Sequence, residues 1–276
     1  MSVEIHGEGK AELFLVPGGP GLGPGFYREL VEPLARNHRV VTYTTRGSRA
    51  EDDRPFPASV KEYAEELLEV VEGASTPDRK SVLLAHSYGV PVAIEALLGD
   101  HRFDGAVLIS GFDSFGMFVR GMSRRKEQLP EEFHEAYNSL AEGGIRELAP
   151  ILAEHFYPRH FCRNAEWPTS FLEALGSLKP ELVEHHLGRD LFSGGGTLDS
   201  WDRADSLGSI ELPTLAISGK YDYYPPEDSK AMASKLPRGE VWISEGASHT
   251  AWVEDPDHFF PRVEEFLTEI VSESGS

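Results

Sequence analysis

The chain has 276 residues, 40% of them hydrophobic, enough for one large core or a core with a smaller cover. Its net charge of −20 repels phosphate backbones and anionic membrane surfaces, which argues against nucleic-acid and membrane partners. One cysteine, Cys162, rules out an internal disulfide framework; with no basic-then-apolar leader and no apolar run of the roughly 18–20 residues that span a bilayer, a cytoplasmic protein is expected.

The apolar residues 13–16 read as a strand ending in the turn Pro17-Gly18-Gly19-Pro20-Gly21. A helix is expected over 26–35 and a strand over 39–43. Val60, Tyr63, Ala64, Leu67, Leu68 and Val71 follow at helical spacing. The run Val82-Leu83-Leu84 then enters Ala85-His86-Ser87-Tyr88-Gly89, after which Val90, Val92, Ala93, Ile94, Ala96 and Leu97 continue as a helix. Another strand is expected over 106–109. From 114 to 208 the pattern changes to helix-like stretches at 131–142, 145–156 and 169–175, with scattered aromatics and no clear strand. The strand–helix rhythm resumes with strands at 214–217 and 240–243, helices at 228–236 and 258–271, and a polar tail at 272–276.

Near-continuous apolar strands alternating with helices predict an α/β fold, with a mostly parallel central sheet flanked by helices on both faces. Two core segments, 1–113 and 209–276, then bracket an insertion over 114–208. An insertion at the C-terminal edge of a parallel sheet overlies the ligand crevice, so a helical lid is expected.

Ser87 sits between an apolar strand and a helix, flanked by small residues, as a nucleophile elbow requires. Ala85 stands where glycine is commoner, which keeps the steric logic. A serine hydroxyl needs a base, and the base an orienting acid. In this arrangement the chain order is serine, acid, histidine. Asp222 lies just past the 214–217 strand and His249 just past the 240–243 strand, both at the edge that carries Ser87. Asp113 and Asp228 are the rival acids, the second expected to cap a helix. Of eleven histidines, only His249 is on the right loop; His86 is expected to pack, His185 and His186 to lie in the lid, and His38, His101 and His258 to be exposed. Backbone N–H groups of Gly19 and Tyr88 are the expected oxyanion donors, with Gly18 in reserve.

These motifs resemble the α/β-hydrolase superfamily and, within it, the proline iminopeptidase family. Pro17-Gly18-Gly19-Pro20-Gly21 is similar to the family's H-G-G-P-G loop, and Tyr43-Thr44-Thr45-Arg46-Gly47-Ser48 to its Y-D-Q-R-G segment. His160-Phe161-Cys162-Arg163 with Trp167-Pro168 resembles its H-x-C-R…W-P stretch, and Gly196-Thr197-Leu198-Asp199-Ser200-Trp201-Asp202 the segment closing its lid. The resemblance implies the α/β-hydrolase fold, a serine hydrolase with Ser87, Asp222 and His249 as catalytic residues, and a small-molecule ester or amide substrate, with no cofactor and no metal.

Departures bear on the substrate. Pro17 replaces the motif histidine, Thr44 replaces the aspartate, and one early antiparallel strand of the superfamily is expected to be missing. Family iminopeptidases hold the substrate's free α-amino group with glutamates, and the positions matching two of them carry Leu191 and Tyr223, with Asp190 one residue out of register. A cationic amine there loses charge-assisted partners worth about 1.5–3 kcal/mol each. Gly18, Leu191, Phe192 and Tyr223 are expected to line the pocket, which points to an esterase or amidase of uncharged substrates. A true iminopeptidase and a non-hydrolytic relative acting as receptor, cyclase or acyltransferase are the alternatives, and the oligomeric state stays unassigned.

Overall fold

The computed structural model describes residues 2–273 apart from 50, 51, 53, 100, 101, 141 and 142. His101, the end of the expected 131–142 helix and the last three residues of the polar tail lie outside the described residues.

Seven strands form one sheet in the order β1-β3-β2-β4-β5-β6-β7. They are β1 (Val3–His6), β2 (Ala11–Val16), β3 (Arg39–Tyr43), β4 (Lys80–His86), β5 (Gly105–Ile109), β6 (Thr214–Gly219) and β7 (Gly239–Ser244). Every pairing is parallel except β1 with β3. One early antiparallel strand is therefore present; its four mostly exposed residues give no alternation to read from sequence.

Side chains alternate between two cores, as a pleated sheet covered on both faces requires. Phe14, Val16, Leu83, Ala85, Ala106, Leu108 and Ala216 face one core, with α2 (Val60–Ala74) and α3 (Gly89–Gly99). Leu13, Leu15, Val82, Leu84, Val107, Ile109, Leu215 and Ile217 face the other. That second layer holds α1 (Arg28–Leu34) and α12 (Pro256–Ser272), whose Phe259, Val263, Phe266, Leu267 and Ile270 fall on one helical stripe.

Between β5 and β6 come α4 (Phe115–Lys126), α5 (Glu131–Leu140), α6 (Ile145–Ile151), α7 (Tyr157–His160), α8 (Thr169–Gly176) and α9 (Pro180–Leu187). The single helix expected over 145–156 is two, joined by a wider helical turn at Leu152–Phe156. The helix expected over 26–35 likewise begins as a tight turn, Pro24–Tyr27. After β6 and β7 come α10 (Pro226–Ser234) and α11 (Ala251–Glu254). Among the described residues no helix is long and apolar enough to cross a membrane.

The parallel strands end at one edge of the sheet. The loops after β2, β4, β6 and β7 bring the glycine turn, Ser87, Asp222 and His249 to that edge.

Candidate active site

Ser87 follows the last residue of β4 and has φ of 54°, a left-handed conformation that a non-glycine residue adopts only when its surroundings impose it. Its own N–H is tied to the Ile109 carbonyl at 2.9 Å. Gly89 must lack a side chain, because a Cβ there would sit 2.3 Å from the Val16 carbonyl oxygen of β2. The sharp turn thus holds the hydroxyl above the sheet edge.

Ser87 Oγ lies 2.9 Å from His249 Nε2, and His249 Nδ1 lies 2.7 Å from Asp222 Oδ1. Asp222 is wholly buried, and its carboxylate also accepts the Tyr223 N–H at 2.6 Å and the Ser218 hydroxyl at 3.2 Å. A carboxylate only accepts, so Nδ1 carries the proton and Nε2 is left to accept from the serine hydroxyl. The imidazole is held between the Tyr223 ring, stacked 4.1 Å away between centroids, and the His86 ring at 4.7 Å.

Three further groups fix the loops that carry these residues. Glu254 of α11 accepts from the N–H and hydroxyl of Ser248 and of Thr250, on either side of His249, at 2.8–3.2 Å. The helical segment supplies the second clamp: Arg125 Nε donates to the Asp222 carbonyl at 2.7 Å and His160 Nδ1 to the Tyr221 carbonyl at 2.8 Å. Its Arg163 N–H donates to Glu254 at 2.9 Å, so the H-x-C-R stretch joins the loops that carry Asp222 and His249. Burial lowers the pKa of His160 to about 4, so it stays neutral.

The third is a buried relay. The Gly18 N–H donates to Tyr27 Oη at 2.6 Å, Tyr27 Oη lies 3.1 Å from His86 Nδ1, and His86 Nε2 lies 3.2 Å from the His249 carbonyl. An amide donates and a carbonyl accepts, so one assignment satisfies the chain: Tyr27 O–H donates to Nδ1, and His86 carries its proton on Nε2. Burial and the neighbouring His249 hold His86 well below the ordinary histidine pKa. His86 packs, as its elbow position suggests, and it also ties the glycine turn to the base loop.

This relay removes Gly18 from the reserve of oxyanion donors, since its N–H is already engaged. The N–H groups of Gly19 and Tyr88 have no protein acceptor among the described residues. The Gly19–Pro20 peptide is cis.

A cavity of about 410 Å³ opens above Ser87. Gly19, Leu191, Tyr223 and His249 line it; Gly18 and Phe192 do not. Phe192 turns away from the cavity into an aromatic cluster, 5.4 Å from Phe156 and 5.6 Å from Tyr137. Asp190 is committed elsewhere: its carboxylate accepts from Tyr137 Oη at 2.5 Å, from the Phe192 N–H at 3.0 Å and from Ser193 Oγ. No aspartate or glutamate lines the cavity among the described residues.

The rival acids lie apart. Asp113 is buried against Lys235 Nζ at 2.6 Å. Asp228 sits in the first turn of α10 rather than at its cap, 3.7 Å from Arg124. Of the other histidines, His38 is buried and paired with Glu264 at 2.9 Å, because α12 covers it, whereas His258 is exposed. His185 Nε2 donates to the Pro57 carbonyl at 3.0 Å, and His186 Nδ1 lies 2.8 Å from Thr197 Oγ1. Tyr27, Arg125 and Glu254 had no readable signal in the sequence, since each acts through a contact distant along the chain.

The model of the alpha/beta hydrolase family matches residues 13–262. The chain belongs to the α/β-hydrolase family. Within it the chain is proline iminopeptidase-like. It is 26% identical over 254 residues to a proline iminopeptidase of Thermoplasma volcanium, covering 91% of this chain and 86% of that one. It is 29% identical over 272 residues to one of Saccharolobus solfataricus, with 94% and 86% covered. The fold matches a crystal structure of proline iminopeptidase from Mycobacterium smegmatis with a TM-score of 0.85 at 22% identity, covering 99% of this chain and 95% of that one.

Proposed function

We propose that this α/β-hydrolase is a serine hydrolase that cleaves small uncharged esters or amides through an acyl-enzyme, without requiring a free amine on the substrate. The observation that carries the reading is the hydrogen-bonded row Ser87–His249–Asp222, opening onto an apolar cavity with no lining carboxylate among the described residues.

In this mechanism Ser87 Oγ attacks the substrate carbonyl while His249 Nε2 takes its proton. The carbonyl oxygen becomes an oxyanion facing the N–H groups of Gly19 and Tyr88, each worth about 3 kcal/mol of barrier. Collapse breaks the bond to the leaving group, which receives the proton from His249. Water then repeats the sequence on the Ser87 ester and releases the acid. Asp222 keeps the imidazole in the required tautomer and offsets the charge of the imidazolium. Glu254, Arg125 and the Tyr27–His86 relay act at one remove, by holding the loops. The helical segment serves as a lid in this reading, since α4, α6, α8 and α9 all contribute to the cavity wall.

A second reading, a proline iminopeptidase, is favoured by the names of the relatives. A cationic prolyl amine entering this cavity would meet no carboxylate of the described residues, and Asp190, held by Tyr137, Phe192 and Ser193, does not line it. Comparing a prolyl amide that has a free amine with its N-acylated form separates the two. The present reading expects the neutral form to be cleaved at least as well; a preference of orders of magnitude for the free amine would establish the iminopeptidase. Ser87→Ala retaining full turnover of activated esters would remove the serine-hydrolase reading altogether.

A further inference from the structure

The cavity walls say more about the substrate, given that Ser87 is the nucleophile as proposed above. The cavity has room for about a dozen non-hydrogen atoms, at the ~30 Å³ that a water-sized unit occupies in a liquid. Met122, Ile145, Ala149, Leu175, Val183 and Leu187 contribute to its apolar lining from four different helices. Among the described residues its one charged side chain, Arg146, is largely exposed and paired with Glu181 at 2.9 Å, at the rim.

Tyrosines break this apolar surface close to the nucleophile, and among the described residues Tyr224 is the one of them whose hydroxyl is buried without a regular hydrogen bond. Tyr224 lines the cavity with Ser87 and His249 and is 1% exposed. Its ring is fixed against Phe112 and Phe118 at 5.8 and 6.0 Å, and meets the His249 ring edge-on at 6.0 Å. Its hydroxyl makes no hydrogen bond of regular geometry among the described residues, and Ser87 is the side chain it approaches. Burial raises its pKa well above the ordinary tyrosine value, so the group stays a neutral donor. An unpartnered buried hydroxyl is costly and uncommon in a folded protein.

We infer that Tyr224 Oη–H donates to the substrate, and that the substrate class is a neutral ester with an apolar acyl group bearing an acceptor oxygen on its α- or β-carbon. An acceptor farther along the chain would lie among the leucines and valines, out of reach of this hydroxyl. The same donor discriminates against plain alkyl esters, since an acyl group with no acceptor leaves it unpaired inside a closed contact.

The test uses two p-nitrophenyl esters of matched size, 3-methoxybutanoate and 4-methylpentanoate, with wild type and Tyr224→Phe. Wild type is expected to favour the oxygenated ester about tenfold in kcat/KM, and the variant to bring that ratio to about one. A packing role alone would lower both rates together and leave the ratio unchanged, which would overturn the assignment; thermal melting of both proteins shows that the variant folds. Equal rates on the two esters in wild type would overturn it as well, while leaving Ser87 as nucleophile. If neither ester is turned over and a fluorophosphonate does not label Ser87, the nucleophile reading itself fails and this inference falls with it.

Discussion

Replacing Tyr27 with phenylalanine removes one oxygen atom and leaves the ring packing between Phe26, His86 and Trp252 in place. The loss falls on two partners. The Gly18 N–H loses its acceptor at 2.6 Å and His86 Nδ1 its donor at 3.1 Å, both in a region closed to water. Each stranded group costs about 1–3 kcal/mol, so the variant should lose about 2–6 kcal/mol of stability. At roughly 2–4 °C per kcal/mol for a chain of this size, the melting temperature should fall by about 4–24 °C. Activity should fall too, because the relay spans the glycine turn and the backbone of His249: kcat for an activated ester is expected to drop about tenfold with KM little changed. Tyr63→Phe is the control, since among the described residues its hydroxyl bonds only the Arg46 carbonyl, at 3.3 Å, and no residue of the site, while its ring packing on Tyr88 is kept. Differential scanning calorimetry and steady-state kinetics on the three proteins check both expectations. A Tyr27→Phe protein that melts within about 2 °C of wild type and keeps its kcat would refute the claim that the relay supports the site.

Glu254→Gln should slow turnover and destabilise the chain by about 1–3 kcal/mol, because one carboxylate oxygen accepts the N–H of Ser248 and of Thr250 and the other accepts the Arg163 N–H, so either orientation of the amide points its NH₂ at a donor; stopped assays and denaturant melts of the variant check it. Gly89→Ala drives a methyl into the Val16 carbonyl and is expected to cost about 1–3 kcal/mol or more, read as a lowered melting temperature. Stability should also fall with acid. His160 and His186 have folded-state pKa values of about 4 and about 3, both lowered by burial from 6.5. The unfolded chain therefore binds protons first, so their contribution is complete above about pH 6.5 and is lost on descending toward pH 4 for His160 and pH 3 for His186, at about 1.4 kcal/mol per pH unit for each while it titrates. Denaturant midpoints measured across that window test the sign.

The parallel sheet was legible because its strands are buried on both faces and so read as short apolar runs between helices. The positions of Ser87, Asp222 and His249 followed from counting residues past those strands. What escaped was set by contacts between distant segments. Gly18 looked like a free donor until Tyr27 folded over it, and Phe192 looked like a pocket residue although its ring joins Phe133, Tyr137 and Phe156. Asp190, one residue out of register, could have met an amine by sequence alone; three hydrogen bonds from Tyr137, Phe192 and Ser193 take it out of play. Helix α4 was hidden because Gly116, Gly121 and the basic run Arg124-Arg125-Lys126 interrupt its apolar pattern, yet that run carries the arginine that holds the Asp222 loop.

As the proposed nucleophile, Ser87 becomes acylated by a neutral substrate. Acid-quenching the enzyme during turnover of p-nitrophenyl butyrate, followed by peptide mass mapping, tests it most directly. The account predicts a butyryl adduct on the peptide bearing Ser87, formed in a burst and absent from Ser87→Ala. Steady turnover with no adduct on Ser87, or an adduct on Cys162 or Ser110 instead, would contradict it.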